Sequence, residues 1–105
     1  MKHPVLIVAS LLFLVQTASA AGIAEPRRIE LLNLLKHDCG SCHGLSLKGG
    51  LGPPLTPANL QGKPIDFLTA TILYGRSGTP MPPWRPFLTD SEADWLARRI
   101  KEGMQ

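Results

Sequence analysis

The sequence predicts one small all-α domain in which Gly- and Pro-rich loops join three main helices. Three segments carry apolar residues at helical spacing, and no segment shows the alternating apolar and polar pattern of a half-buried strand. Most of the ten glycines and ten prolines lie between those segments, where they favour turns and loops. We therefore expect helices connected by long ordered loops, with no internal repeat.

Residues 1–20 have the pattern of a cleavable export signal. A basic start, "MKHP", precedes a largely apolar run from Val5 to Val15, and Ala18-Ser19-Ala20 has the small residues that signal peptidase accepts. Eleven residues in a helix reach about 16 Å, roughly half of the hydrocarbon thickness of a bilayer. We expect a signal at 1–20 and a mature domain at 21–105, with an uncleaved anchor or buried helix as the alternative.

The mature chain is close to the lower size limit for a self-sufficient core. Cleavage leaves 85 of the 105 residues, so a bound group is expected to fill part of the interior. Of the 11 Lys and Arg residues, only Lys2 lies in the signal, which leaves 10 basic against 8 acidic side chains, a formal charge of +2. These charges are scattered and form no stripe for nucleic acid. No second segment is apolar enough to keep the mature domain in a membrane.

The first predicted helix is "AEPRRIELLNLLKHD", which runs directly into the two cysteines. Pro26 suits its first position, and its apolar face consists of Ile29, Leu31, Leu32, Leu34 and Leu35. After the cysteine motif, residues 44–64 contain five Gly and four Pro, which predicts a long loop. Such a loop is unusual in a compact domain unless it wraps a ligand.

The second predicted helix is "PIDFLTATILYG", between Pro64 and Gly75. Its apolar side consists of Phe67, Leu68, Ile72 and Leu73. The Pro-rich "RSGTPMPPWRPF" that follows suits neither a helix nor a central strand. The final helix begins with a capping box at Thr89 and Glu92, after a staple residue at Leu88. Its buried stripe consists of Ala93, Trp95, Leu96 and Ile100.

The motif "CGSCH" carries the chain's only cysteines. On a helical turn, Cys39, Cys42 and His43 project from one face because they stand at i, i+3 and i+4. Two thiols can then reach the two vinyl groups of a haem while the imidazole reaches the iron. Covalent haem attachment is therefore the direct interpretation of this spacing.

Three other chemistries use a C-x-x-C pair. A redox dithiol usually lies in a βαβ fold, for which this chain has no strands. A disulfide across two residues closes a small loop and adds little stability. Zinc needs four ligands, and His37 is the only candidate beyond the three residues of the motif.

Met81 is the candidate for the second axial ligand of the iron. It lies between Pro80 and Pro82, which restrict the backbone and favour a rigid loop. Met104 stands at a fraying end, and His37 is only two residues from Cys39 on the proximal side. A thioether is a soft neutral ligand that stabilises ferrous iron. His/Met ligation would fill both axial positions, as an electron carrier requires, whereas an open distal position would indicate a haem enzyme or sensor.

Further candidates surround these ligands. A metal-bound histidine usually donates its other ring N–H to a carbonyl, and the carbonyl of Pro53, in "GPPL", is the candidate acceptor for His43. Arg76, Trp84 and Arg85 flank Met81 and are candidates for hydrogen bonds to haem propionates, with a surface or packing role as the alternative.

The motifs "CGSCH", "GPPL", "LTATILYG" and "MPPW", followed by an amphipathic last helix, resemble a class I c-type cytochrome over the whole mature length. The resemblance implies crossed first and last helices, a middle helix leading to the methionine loop, and an exposed haem edge. It also implies one haem c, with thioethers to Cys39 and Cys42, axial ligation by His43 and Met81, and Pro53 supporting the histidine.

Longer stretches, "DCGSCHGLSLKGGLGPPL", "GTPMPPW" and "SEADWLARRI", are similar to cytochrome c55X, a small monohaem cytochrome of the denitrification nitrite reductase cluster. This likeness implies a monomeric periplasmic electron carrier rather than an enzyme. The implied partners are an upstream electron donor and cytochrome cd1 nitrite reductase, or the pathway that assembles that enzyme's special haem. The chain lacks the extra loops of longer family members.

Overall fold

The structure, a computed structural model, describes residues 1–4 and 22–104. The apolar run and the cleavage site of the predicted export signal lie outside these residues, so the division at residue 20 stays a prediction. None of the helices in the described part has the length and apolar character needed to cross a membrane.

The chain enters the haem motif through one continuous helical stretch. Helix α1 (Arg27–Leu34) passes into a π-helical segment (Leu35–Cys39) and then into the short α2 (Gly40–His43). Pro26 stands one residue earlier than predicted, at the N-cap. Leu31 and Leu35 are buried, but Ile29 is exposed. The predicted apolar face was therefore too wide, because the partners of α1 cover only one side.

The loop predicted after the motif contains a helix that the sequence pattern did not indicate. Helix α3 (Pro57–Leu60) has Thr56 as its N-cap, and the side chain of Thr56 accepts a hydrogen bond from the N–H of Asn59 (3.3 Å). Four residues are too few to show an apolar period, although Thr followed by Pro is an N-terminal signal. The rest of the loop is held by backbone hydrogen bonds, among them Leu55 N–H to Leu47 O at 2.8 Å.

Helix α4 (Ile65–Tyr74) follows the predicted boundaries. Pro64 is its N-cap, and Gly75 ends it with φ of +68°. Leu68 and Leu73 are buried as expected, whereas Phe67 is 51% exposed. Phe67 lies on the predicted apolar side of the helix but lines a cavity instead of packing in the core.

Helix α5 (Asp90–Glu102) has the predicted capping box. The hydroxyl of Thr89 accepts from the N–H of Glu92 (3.1 Å), and the Glu92 carboxylate accepts from the N–H of Thr89 (2.9 Å). Ala93, Leu96 and Ile100 are buried, and Trp95 is half-buried.

The core lies where α4 packs along α5, with α1 and α3 against the same apolar cluster. The buried apolar residues are Leu31, Leu35, Leu47, Leu60, Leu68, Leu73, Leu88, Ala93, Leu96, Ala97 and Ile100. No strand forms in the part of the chain that the structure describes. The all-α prediction is confirmed.

Candidate haem-binding site

A cavity of about 790 Å³ opens in the middle of the domain and brings the predicted site residues together. Its lining includes Cys39, Cys42 and His43 together with Met81 and Pro53. The volume is in the range of cofactor pockets, roughly 300–1,000 Å³. Every residue predicted to attach, ligate or support a haem therefore faces one space.

The cavity wall is formed largely by the apolar core itself. The buried side chains that line it come from the π-helical segment, α3, α4 and α5, and they are Leu35, Leu60, Leu68, Leu96 and Ile100. Ile72 and Trp84 add further apolar surface. The interior that a chain of this size could not fill is therefore a largely apolar cavity.

The cysteines stand at the end of the π-helical segment and in α2. Their sulfurs are not bonded to one another. Burial, assisted by the charge of Asp38, raises the pKa of the Cys39 thiol to about 11. A thiol that stays protonated at neutral pH lacks the thiolate character of a redox dithiol. Among residues 1–4 and 22–104, no group of three or more His, Cys, Asp or Glu side chains is arranged to hold a metal ion.

The imidazole of His43 is fixed by the loop that follows it. Its Nδ1 lies 2.7 Å from the carbonyl oxygen of Pro53. Because a carbonyl only accepts, Nδ1 carries the proton and donates it, which leaves the lone pair of Nε2 for a metal. The N–H of Gly52 donates to the carbonyl of Cys42 (2.8 Å), so the loop is tied back to the haem motif itself.

Met81 reaches the cavity from the segment that follows α4. Its backbone N–H donates to the Thr79 hydroxyl (3.3 Å), and its carbonyl accepts from the N–H of Arg76 (3.2 Å). The competing candidates lie elsewhere, since Met104 and His37 are exposed and neither lines the cavity. The geometry thus leaves Met81 as the methionine at the site.

Polar groups at the cavity differ from the expected set. Arg76 and Trp84 line it as predicted, but Arg85 does not, because its guanidinium pairs with Asp90 on α5. The expectation of Arg85 as a propionate contact is therefore not supported. Asn59 and Lys63 line the cavity as well. Sequence reasoning missed these two because neither stands near a motif, and only the folding of the loop brings them there.

The chemistry of this lining fits a covalently bound haem. Two thiols, an imidazole with a free Nε2 and a thioether face one apolar space. A family model described as "Cytochrome C oxidase, cbb3-type, subunit III" matches residues 30–98. The chain belongs to this family of c-type cytochrome domains.

The comparisons with individual proteins agree with the family. The curated cytochrome c55X of Pseudomonas aeruginosa is 57% identical over 77 residues, which are 73% of this chain and 65% of that protein's length. The solved structure of the c-type cytochrome NirC is 54% identical, with a TM-score of 0.76, covering 77% of this chain and 95% of that one. A third match is "Dihydro-heme d1 dehydrogenase NirN in complex with DHE", at 33% identity and a TM-score of 0.62, covering 67% of this chain and 15% of that one.

These matches confirm the resemblance to class I c-type cytochromes and to cytochrome c55X, and they confirm the fold. They also establish covalently bound haem c as the cofactor, because the C-x-x-C-H motif of this family attaches it. The homologous c-type cytochromes are electron carriers. The axial ligands and the partners are not tested by these matches and remain predictions.

Proposed function

We propose that the chain is a one-electron carrier in which His43 and Met81 hold the iron of haem c from opposite sides. When bound, the haem supplies an iron that changes between ferric and ferrous states. The observation that carries the proposal is the single cavity that Met81 shares with Cys39, Cys42 and His43. With His43 and Met81 both as ligands, the iron would have no open position for a substrate, so we propose a carrier rather than an enzyme.

The residues of the chain perform separate tasks in this proposal. Cys39 and Cys42 form the thioether bonds, and Pro53 orients the imidazole of His43 and raises its basicity. Met81 contributes a neutral thioether, which favours the ferrous state and raises the reduction potential. Because the same two ligands serve both oxidation states, little has to move when an electron passes.

The cavity is closed by apolar side chains on one side and reaches the surface on the other. Leu51 and Phe67 line it and are 77% and 51% exposed. Buried leucines on the opposite elements would keep water away from a haem bound there, which would support a defined potential. The exposed side leaves a route for electron exchange with a partner protein.

The relatives suggest where this carrier works. Cytochrome c55X and NirC support a place in the nitrite reductase system. We propose a periplasmic monomer that takes electrons from an upstream donor and passes them to cytochrome cd1 nitrite reductase. Stopped-flow mixing of the reduced protein with that enzyme should give rapid reoxidation, and its absence would contradict the partner.

The axial ligand is tested by comparing the two methionines of the mature chain. Ferric haem with a methionine ligand has a far-red charge-transfer band. We expect this band in the wild type and in Met104→Ala, and we expect Met81→Ala to lack it and to have a lower reduction potential. Loss of the band in Met104→Ala instead of Met81→Ala would refute the ligand set. Rapid carbon monoxide binding by the reduced wild type would favour an open distal site.

A second candidate is a role in making the special haem of nitrite reductase. The observation that favours it is the match to part of a dihydro-haem d1 dehydrogenase structure. Deleting the gene separates the two roles. Nitrite reductase that accumulates without its special haem would indicate maturation, whereas complete nitrite reductase that is starved of electrons would indicate donation.

A further inference from the structure

The backbone around Met81 lies unusually close to the end of α4. Gly75, which ends that helix, has φ of +68°, and a Cβ built on it would be 2.6 Å from the carbonyl oxygen of Met81. The same Cβ would be 2.7 Å from the carbonyl carbon of Pro82 and 2.8 Å from the nitrogen of Pro83. All three atoms are backbone, so no side-chain rotation could relieve the contacts.

Hydrogen bonds hold the two segments in this close contact. Helix α4 leaves carbonyls of its last turn without partners within the helix, and those of Ile72 and Leu73 accept from the N–H groups of Trp84 and Arg85, both at 3.1 Å. The prolines at 80, 82 and 83 have no N–H to donate. Residues 80–83, the methionine segment, are therefore fastened to α4 just after their last proline. Met81 itself is held by the N–H of Arg76 and the hydroxyl of Thr79, and the backbone from Met81 to Pro83 lies directly on Gly75.

We propose that Gly75 is a positioning residue for the axial methionine. Its missing side chain lets residues 81–83 lie directly on the end of α4, which sets how far the Met81 sulfur reaches into the cavity. An ordinary carbon contact needs about 3.5 Å, so a methyl group at position 75 would push this backbone outward by about 1 Å. Displacements of that size are enough to disable a ligand site. The inference rests on the proposed ligation by Met81.

The chain offers a matched control in the same loop. Gly78 has φ of +75°, close to that of Gly75, but a Cβ there would meet nothing within 4 Å. Gly78→Ala therefore controls for placing alanine at a positive φ in this loop, and only alanine at 75 meets the methionine segment. A loss confined to Gly75→Ala is the result that the contact predicts.

The experiment measures the far-red band and the binding of added imidazole in ferric holoprotein. We expect Gly75→Ala to lose most of the band and to bind imidazole at least about tenfold more tightly, because a smaller fraction of the protein keeps the methionine bound. Gly78→Ala should match the wild type in both measurements. Circular dichroism and the Soret band check that each variant is folded with its haem attached.

Three results would overturn the inference. The first is a Gly75→Ala variant with the wild-type band and imidazole affinity. The second is an equal loss in Gly78→Ala, which would assign the effect to strain. The third is a wild type without the band, which would refute ligation by Met81 itself. Should Gly75→Ala fail to fold, Gly75→Asn and Gly78→Asn repeat the comparison, and only Gly75→Asn must lose the band.

Discussion

The imidazole of His43 is confined from two directions by neighbouring residues of its loop. Pro53 holds Nδ1 through its carbonyl, and Gly52 lies against the ring. A Cβ on Gly52 would be 2.8 Å from both Nδ1 and Cε1 of the imidazole. The loop therefore provides an acceptor next to a residue with no side chain, and both are needed for this orientation of the ring.

We expect Gly52→Ala to raise the reduction potential. The new methyl group would displace the imidazole from Pro53, and a weaker Nδ1–H hydrogen bond makes the ring a poorer donor to ferric iron. Redox titration of the holoprotein measures the potential, and proton NMR of the ferric form reports the ring position.

Gly40→Ala is the control for Gly52→Ala. Position 40 lies between the two cysteines, but a Cβ there would make only ordinary contacts of 3.5 Å or more. The reduction potential of Gly40→Ala should stay at the wild-type value. An unchanged potential and ring position in Gly52→Ala would show that Gly52 does not restrict the imidazole.

At the scale of single residues, much of the site was predictable because its chemistry is local in sequence. Cys39, Cys42 and His43 lie within one helical turn, and Met81 is marked by its flanking prolines. The structure places these residues and Pro53 at one cavity. The roles of Gly52 and Gly75 were not predictable, because the atoms they approach become neighbours only when the loops fold.

At the scale of helices, an ion pair joins the first and last elements of the domain. Arg27 of α1 donates to the carboxylate of Glu92, the capping-box residue of α5. The hydrogen bond from Arg27 holds the pKa of Glu92 below its ordinary value of 4.5, although burial acts in the opposite direction. Glu92 thus caps its own helix and ties α1 to it.

We expect Glu92→Gln to lower the free energy of unfolding at pH 7 and to lower it by less at pH 3. A carboxylate whose pKa is lower in the folded state adds stability above its ordinary pKa, and that stability is lost as pH falls through the folded value. The difference in the free energy of unfolding between wild type and variant should therefore shrink steadily below about pH 4.5. Urea unfolding followed by circular dichroism at several pH values measures it.

Glu30→Gln is the matched control for Glu92→Gln. Glu30 also pairs with Arg27, at 2.9 Å, but its side chain is 59% exposed, and exposed pairs contribute about 0–1 kcal/mol. Glu30→Gln should therefore destabilise the protein less than Glu92→Gln at pH 7. A loss in Glu92→Gln that is the same at pH 7 and pH 3 would contradict the role of the ion.

The helices themselves were predictable to the extent that their ends carry signals. Pro64, Gly75 and the capping box at Thr89 marked α4 and α5 correctly. The π-helical segment before the haem motif was not predicted, because a wider hydrogen-bond pattern leaves no trace in residue type. Ile29 and Phe67 were assigned to apolar helix faces from spacing alone, and both are exposed, because spacing does not say how much of a helix its neighbours cover.

At the scale of the whole molecule, the apolar core and the haem cavity share their residues. Leu60, Leu68 and Leu96 each belong to the buried cluster and also line the cavity. The core is therefore a wall around the cofactor and not a separate packed centre. Burying the haem against this wall adds apolar contact that the chain cannot supply itself, which links the stability of the fold to the bound group.

We expect the haem-free double variant Cys39→Ala/Cys42→Ala to lose cooperative folding. An empty apolar cavity of about 790 Å³ removes the contacts that the buried leucines would make with the haem, and each lost contact weakens a core that is already small. Thermal unfolding followed by circular dichroism should be broad, and the dye ANS should bind, as in loosely packed states.

The holoprotein with Met81→Ala is the control, because it keeps the haem in place while losing one axial ligand. It should unfold cooperatively, somewhat below the wild type. A sharp transition in the haem-free variant at the wild-type temperature would show that the side chains alone hold the fold.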